Sequence, residues 1–447
     1  MRILWLCNII PPAAAKALGY EYSVREGWIT GVLERFLGEK KSEIKLGICF
    51  PAEGELATFA GEVFLRTMAG GENAGEKKVS LFGFDENMRM PENYDEGLES
   101  RFAEILAEFS PDLVHIFGTE FPHALAMVRS FGRPKRTLVG LQGMIGECAK
   151  SYRADLPDRA WKRCTLRDVL RRDSLRQQQE KFRIRGERER EVLKGCGHVT
   201  GRTGFDRSES LACNPGLIYH KMNETMRPCF YEGKWERERC QSHEIFISQG
   251  DYPLKGLHYL LWAMADIRRE FPDARIRVAG ISVTAYRTWK EKLKISGYGK
   301  YLRECIRQYG LEDCVEILGK LDGEGMKEAY LRSHVFVCPS SLENSPNCLG
   351  EAMLLGVPCV ASRVGGIPDL AEEGKSILFF EKGNEKKLAE RILEIFRQDG
   401  LAQRLSEGAR KRARLNHDGD VNYARLMEIY REILRGASDT CRDGGSL

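Results

Sequence analysis

The chain is predicted to be α/β, folded as two doubly wound parallel-sheet domains, and three observations predict it. Short apolar runs alternate with amphipathic stretches along most of the length, the pattern of successive strand–helix units. The alternation lapses once, over residues 226–243, and then restarts. The 447 residues exceed what one hydrophobic core organises and suit two. The predicted division is a first domain over 1–225, a linker over 226–243, a second domain over 244–417, and a last helix over 418–435 packing back on the first domain.

In the first domain, apolar runs at 2–7, 44–50, 113–117, 137–141 and 198–200 read as strands. Helical spacing of apolar residues appears at 28–37, 98–108 and 123–130. The opening run from Met1 to Cys7 is interrupted at Asn8 and is short for a signal-peptide core, so a first buried strand explains it better. In the second domain, strands are predicted at 244–248, 275–279, 315–318, 335–338, 359–361 and 377–380, with helices at 257–270, 287–308, 324–332, 346–355 and 385–398. Val421, Leu426, Ile429, Tyr430, Ile433 and Leu434 repeat at helical spacing in the last element.

Composition excludes several classes. With 42% hydrophobic and 30% charged residues, the chain is neither a rod nor a disordered polymer. A formal charge of +4 is nearly neutral at this length and does not point to nucleic acid. The 14 cysteines are scattered singly with no C-x-x-C pair, which fits reduced thiols and a cytoplasmic protein, and no metal site is predicted. No apolar stretch approaches the roughly 18 residues of a membrane span.

The chemistry concentrates in Cys338-Pro-Ser-Ser-Leu-Glu343-Asn-Ser-Pro-Asn-Cys-Leu-Gly-Glu351, which runs on to Gly356-Val-Pro358. A strand ends near Cys338, which leaves Glu343 in a loop at the carboxyl edge of the sheet. Ser345 is the expected N-cap and Pro346 the first helical residue. Gly356 and Pro358 then close the helix. Two carboxylates thus flank a helix N-terminus, whose amides and dipole favour an anion such as phosphate. Carboxylates in that position accept hydrogen bonds from sugar or ribose hydroxyls.

This segment resembles the E-x(7)-E signature of the retaining family-4 glycosyltransferases of GT-B fold, two Rossmann-like domains facing a cleft. Their glycine-rich turn follows here as Val364-Gly365-Gly366-Ile367-Pro368-Asp369. The similarity extends to Pro111-Asp112-Leu113-Val114-His115, to Gly201-Arg202-Thr203-Gly204-Phe205-Asp206 and to Lys255-Gly256 before a helix, and is strongest in the second half. It implies transfer of a sugar, with retention, from a nucleoside-diphosphate sugar to a glycan or lipid-linked acceptor in surface-polysaccharide or glycoconjugate assembly. No cofactor beyond that co-substrate is implied, and family habit puts UDP ahead of GDP.

The resemblance also implies roles. Glu351 would bind the ribose, and Glu343 would sit by the transferred sugar. Lys255 would meet the diphosphate and neutralise charge as it departs. Gly27, in Glu26-Gly27-Trp28 at the start of a helix, would let backbone approach a phosphate. His115 would stand near the reacting centre, with His123 as its competitor. Asn344, Ser345, Asn347 and Cys348 would face the sugar, and Leu321 the base.

Two departures stand out. Where the family carries an arginine shortly before the phosphate lysine, this chain has Gln249 and Gly250, so Gln249 without charge or Arg202 from elsewhere would take that part. Pro346 replaces a glycine and has no N–H to offer. Three rival readings remain: a nucleotide-sugar epimerase, a phosphorylase, and a catalytically silent nucleotide-binding protein of the same fold.

Residues 162–194 carry 12 lysines and arginines against 6 acids. This is either a solvated helix laced with i,i+4 pairs or a surface drawn to anionic lipid, which would place the protein peripherally at an inner membrane face.

Overall fold

The computed structural model describes residues 1–21, 27–68, 75–282 and 288–439. It forms two compact units, each built on one sheet: residues 1–146, 184–227 and 417–447 make the first, and 147–183 with 228–416 the second.

The first unit contains β1 (Arg2–Leu6), β2 (Lys45–Pro51), β3 (Ala60–Arg66), β4 (Glu76–Phe84), β5 (Leu113–Phe117), β6 (Thr137–Gly140), β7 (His198–Gly201) and β8 (Ile218–Lys221), in the order β3-β4-β2-β1-β5-β6-β7-β8. All pairings are parallel except β3 with β4. The two-residue period of a strand is visible in β1. Leu4 and Leu6 enter a core with Phe84, Phe102 and Met127, whereas Ile3, Trp5 and the following Cys7 enter a second core with Leu33 and Phe36. The terminal helix Gly419–Asp439 completes that second core with Leu426, Ile429, Tyr430 and Ile433.

The sequence pattern did not reveal β3 and β4. β3 is an edge strand whose residues are mostly outside the core, and Glu62 on it is held by Lys45 and Lys78. Charged edges of this kind carry little apolar signal.

The second unit contains β9 (Gln241–Ile247), β10 (Arg275–Ala279), β11 (Val315–Gly319), β12 (Ser333–Cys338), β13 (Cys359–Ser362) and β14 (Leu378–Phe380). Their order is β11-β10-β9-β12-β13-β14, wholly parallel. Every residue of β12 is buried, as a central parallel strand covered on both faces must be.

Three expectations require correction. Residues 147–183 were assigned to the first domain but fold with the second. His258 Nε2 lies 2.8 Å from Ala154 O, Tyr259 OH donates to Asp155 at 2.5 Å, and Gly297 N donates to Asp168 Oδ2 at 2.9 Å. The helix expected over 287–308 is two pieces, Trp289–Lys292 and Gly297–Gln308, the second capped by Ser296; Arg287 lies outside the described residues. A further long helix, Asp399–Asn416, occupies sequence with no assigned element.

Candidate functional site

The site is assembled at the carboxyl edge of the second sheet, where β12 hands over to a loop and the helix Asn347–Leu355. Ligands of open α/β sheets bind at such edges. Two glycines bring the neighbouring loops close. Gly256 has φ +72°, and a Cβ there would fall 1.9 Å from Pro339 O. Ser341 N donates to Leu254 O at 2.8 Å, so the turn Pro253–Lys255 is clamped to the loop after β12. Gly365 has φ +50°, and its Cβ would fall 2.0 Å from Glu343 O, which accepts Gly366 N at 3.1 Å. Side chains larger than hydrogen at either position would push these loops apart.

The clamped loops present Lys255 to Glu343. Lys255 Nζ donates to Glu343 Oε1 at 2.7 Å, and Ser340 Oγ donates to the same oxygen at 2.7 Å. Both partners of the ion pair are largely shielded, with side chains 20% and 13% exposed. Burial acts to lower the Lys255 pKa, but the Glu343 carboxylate outweighs it, and the ammonium is held well above its ordinary value. The Tyr252 ring lies 5.8 Å from Lys255 Nζ, and burial pushes its phenol up to about 12.

Glu351 is buried on the second turn of the helix, 8% exposed. Tyr330, itself fully buried, donates to Cys348 O at 2.9 Å and lies 3.4 Å from Glu351 Oε2, which fixes the helix's first turns. Asn344 and Ser345 are buried in the loop, and Asn347 and Cys348 are half-buried at the helix start. The N-cap is Pro346, not Ser345, because the helix begins one residue later than expected. The Cys348 thiol pKa is lowered, first by a hydrogen bond with Cys338 and further by the Lys255 charge. Gln249 is half-buried just beyond β9, beside Gly280, and Leu321 is half-buried just beyond β11.

The remaining expected residues belong to the first unit. His115 is fully buried. Its Nδ1 lies 2.7 Å from Tyr430 OH, which accepts Trp5 Nε1–H at 2.9 Å. The contact uses Nδ1 only, and the second ring nitrogen is Nε2. That Nε2 has no partner among the described residues and lines a cavity with Gln142, Thr200, Arg202 and Glu224. Burial holds the His115 pKa down to about 3. His115 is therefore a neutral group under the terminal helix, not one standing open to a sugar. His123 is fixed as well, with Nδ1 2.5 Å from Glu86 and Nε2 2.9 Å from Asn8.

Arg202 is 5% exposed and paired with Glu224 at 2.9 Å, and Glu224 also accepts Gln142 Nε2 at 2.6 Å. Its charge is thus balanced within the unit, contrary to the part of diphosphate cation. Gly27 opens the helix Gly27–Gly38, and a Cβ there would fall 2.2 Å from the Arg227 side chain. Glu26 lies outside the described residues. Sequence reasoning missed Ser340, Tyr330 and Arg227. Ser340 lay within the quoted segment, whereas no local pattern signals the other two.

Residues 237–412 match the family Glycosyl transferases group 1. Among curated proteins, the chain is similar to the amylovoran biosynthesis glycosyltransferase AmsK of Erwinia amylovora, 28% identical over 34% of this chain and 41% of that one. It is also similar to spore coat protein SA of Bacillus subtilis, 28% identical over 40% of this chain and 45% of the relative. The chain thus spans between 34% and 59% of the length of the curated relatives it matches. Among solved structures, sucrose-phosphate synthase of Thermosynechococcus elongatus aligns over 98% of this chain and 100% of its own, with TM-score 0.66 and 14% identity. Anabaena HepE in complex with UDP aligns over 97% and 100%, with TM-score 0.61 and 15% identity. The fold is of GT-B type, two parallel-sheet α/β domains.

Proposed function

We propose that this chain, whose second unit carries a glycosyl transferases group 1 domain, transfers a sugar with retention from a nucleoside-diphosphate sugar to a glycan or lipid-linked acceptor. The observation that carries the reading is the Lys255–Glu343 pair, set beside a helix N-terminus with Glu351 one turn behind. Each group answers one part of such a donor. Lys255 and the helix start meet the diphosphate, Glu351 accepts from the ribose, and Glu343 turns to the sugar.

Glu343 occupies the cation. A diphosphate arriving at Lys255 takes over that charge and releases Glu343 to accept a sugar hydroxyl or to stabilise positive character at the anomeric carbon. As the bond to the leaving oxygen breaks, negative charge grows where the ammonium stands. Lys255 supplies the compensation, so the proposed reaction is metal-independent. Turnover abolished by a chelator and restored by a divalent ion would count against this.

UDP is the proposed nucleotide, supported by the UDP in the HepE complex. Surface-polysaccharide assembly is the proposed setting, supported by the amylovoran biosynthesis relative. We place the protein in the cytoplasm, in peripheral contact with an anionic membrane face; no helix among the described residues is long and apolar enough to cross a membrane. NMR of the product formed from an α-linked UDP-sugar tests the reaction. An α-linked product supports retention, and a β-linked product or acceptor-independent consumption of the donor contradicts it.

A further inference from the structure

Two short helices of the second unit turn their apolar residues to solvent. On Leu166–Arg171, Leu166, Val169 and Leu170 are 55%, 62% and 76% exposed. They stand at i, i+3 and i+4, which is one stripe of a helix. On Trp289–Lys292 and the residue after it, Trp289 and Leu293 are 68% and 49% exposed, again four apart. A stripe at this spacing ordinarily faces a core.

The two segments are anchored to one another. Thr165 Oγ1 donates to Ile295 O at 2.8 Å, and Gly297 N donates to Asp168 Oδ2 at 2.9 Å. Leu166 follows the first of these contacts directly, and Leu293 precedes it by two residues. The rim is cationic: Arg171, Arg172, Lys292, Lys294 and Lys300 are all exposed. The acids on these two helices are tied into their own caps. Asp168 closes a capping box with Thr165, and Glu291 closes one with Thr288.

Three arginines of the long helix Leu175–Gly195 are by contrast engaged with the protein itself. Arg183 pairs with Glu180, Arg185 donates to Glu120 O at 2.9 Å, and Arg188 donates to Pro91 O at 3.2 Å.

We infer that this surface of Leu166, Val169, Leu170, Trp289 and Leu293, ringed by Arg171, Arg172, Lys292 and Lys294, docks on an anionic lipid bilayer. The inference rests on the peripheral-membrane part of the proposed function, narrows the contact within 162–194 to Leu166–Arg172, and adds the helix Trp289–Lys292. Apolar side chains with an interfacial tryptophan enter the headgroup region, while the cations meet lipid phosphates. A second copy of the chain fits less well, because a two-fold contact sets the cationic rims against each other.

The test is sedimentation of the full chain with phosphatidylcholine vesicles, with and without phosphatidylglycerol, at low and high salt. Binding is expected only with phosphatidylglycerol, weakening with salt. Arg171→Glu with Arg172→Glu is expected to weaken it at least about tenfold, as is Leu170→Glu with Trp289→Ser. Arg183→Glu on the long helix is expected to leave it unchanged. Because the altered side chains are exposed, UDP-induced thermal stabilisation should persist in every variant, so failure of the lipid surface stays distinguishable from failure of the donor site. Equal binding to neutral vesicles, no binding, or loss of binding only on Arg183→Glu overturns the inference. So does self-association that the Leu170→Glu variant abolishes, which would assign the surface to a second copy.

Discussion

Lys255 Nζ lies 2.7 Å from Glu343 Oε1, so the cation and the carboxylate assigned to neighbouring parts of one donor hold each other. The contact keeps a shielded charge from standing alone, which would be costly. It also makes Glu343 a competitor of the incoming diphosphate for Lys255.

That competition has a measurable consequence. Glu343→Gln removes the rival anion and keeps the shape, so UDP is expected to bind more tightly, by about three- to tenfold, while turnover falls. Calorimetry of UDP binding beside steady-state turnover checks both. Weaker UDP binding in this variant would mean that Glu343 holds the lysine in place rather than contesting it.

Lys255→Ala is expected to lower kcat/KM by about 10²–10³, the usual cost of losing one group aimed at developing charge. Lys255→Arg should recover part of that loss. The comparison is made at saturating acceptor, so that the donor half of the reaction is what is read.

Gly256→Ala places a Cβ 1.9 Å from Pro339 O at a position with φ +72°. Urea unfolding is expected to show a loss of about 1–3 kcal/mol, accompanied by weaker UDP binding as the Lys255 turn moves away from Glu343. An unaltered midpoint would mean that the two loops are not clamped as described.

The buried histidines give the stability a pH dependence. Burial depresses the pKa of His115 to about 3, and that of His258 and His417 to about 4. Between those values and the ordinary value near 6.5, the unfolded chain binds protons that the folded protein refuses. Their contribution is therefore complete above about pH 6.5 and is lost progressively as the pH falls toward 4. Glu189 acts in the opposite sense: burial raises it to about 7, so its contribution is lost as the pH rises from about 4.5 to 7. Urea midpoints measured from pH 7.5 down to 4.5 are expected to fall, and replacing His115 should flatten the decline.

Much of the second sheet was legible because parallel strands buried on both faces, such as β12, stand out as continuous apolar runs. The Glu343–Glu351 segment was legible because its strand, loop and helix are contiguous in sequence. What was hidden depends on contacts distant along the chain. Nothing local to His115 announces Tyr430, 315 positions away, and nothing in 147–183 says that this stretch leaves the sheet it follows for the next one. The charge count marked 162–194 as a whole, and solvent exposure singles out Leu166–Arg171 within it.

The most direct measurement is thermal unfolding of the parent chain and of Glu351→Ala across a panel of nucleoside diphosphates. A ligand that binds only the folded state raises the melting point by mass action, by about 2.7 kcal/mol of stability at a hundredfold excess over Kd. UDP is expected to raise Tm in the parent, GDP less, and neither in Glu351→Ala. An equal rise in parent and variant, or no rise with any diphosphate, would contradict the donor site at Lys255, Glu343 and Glu351.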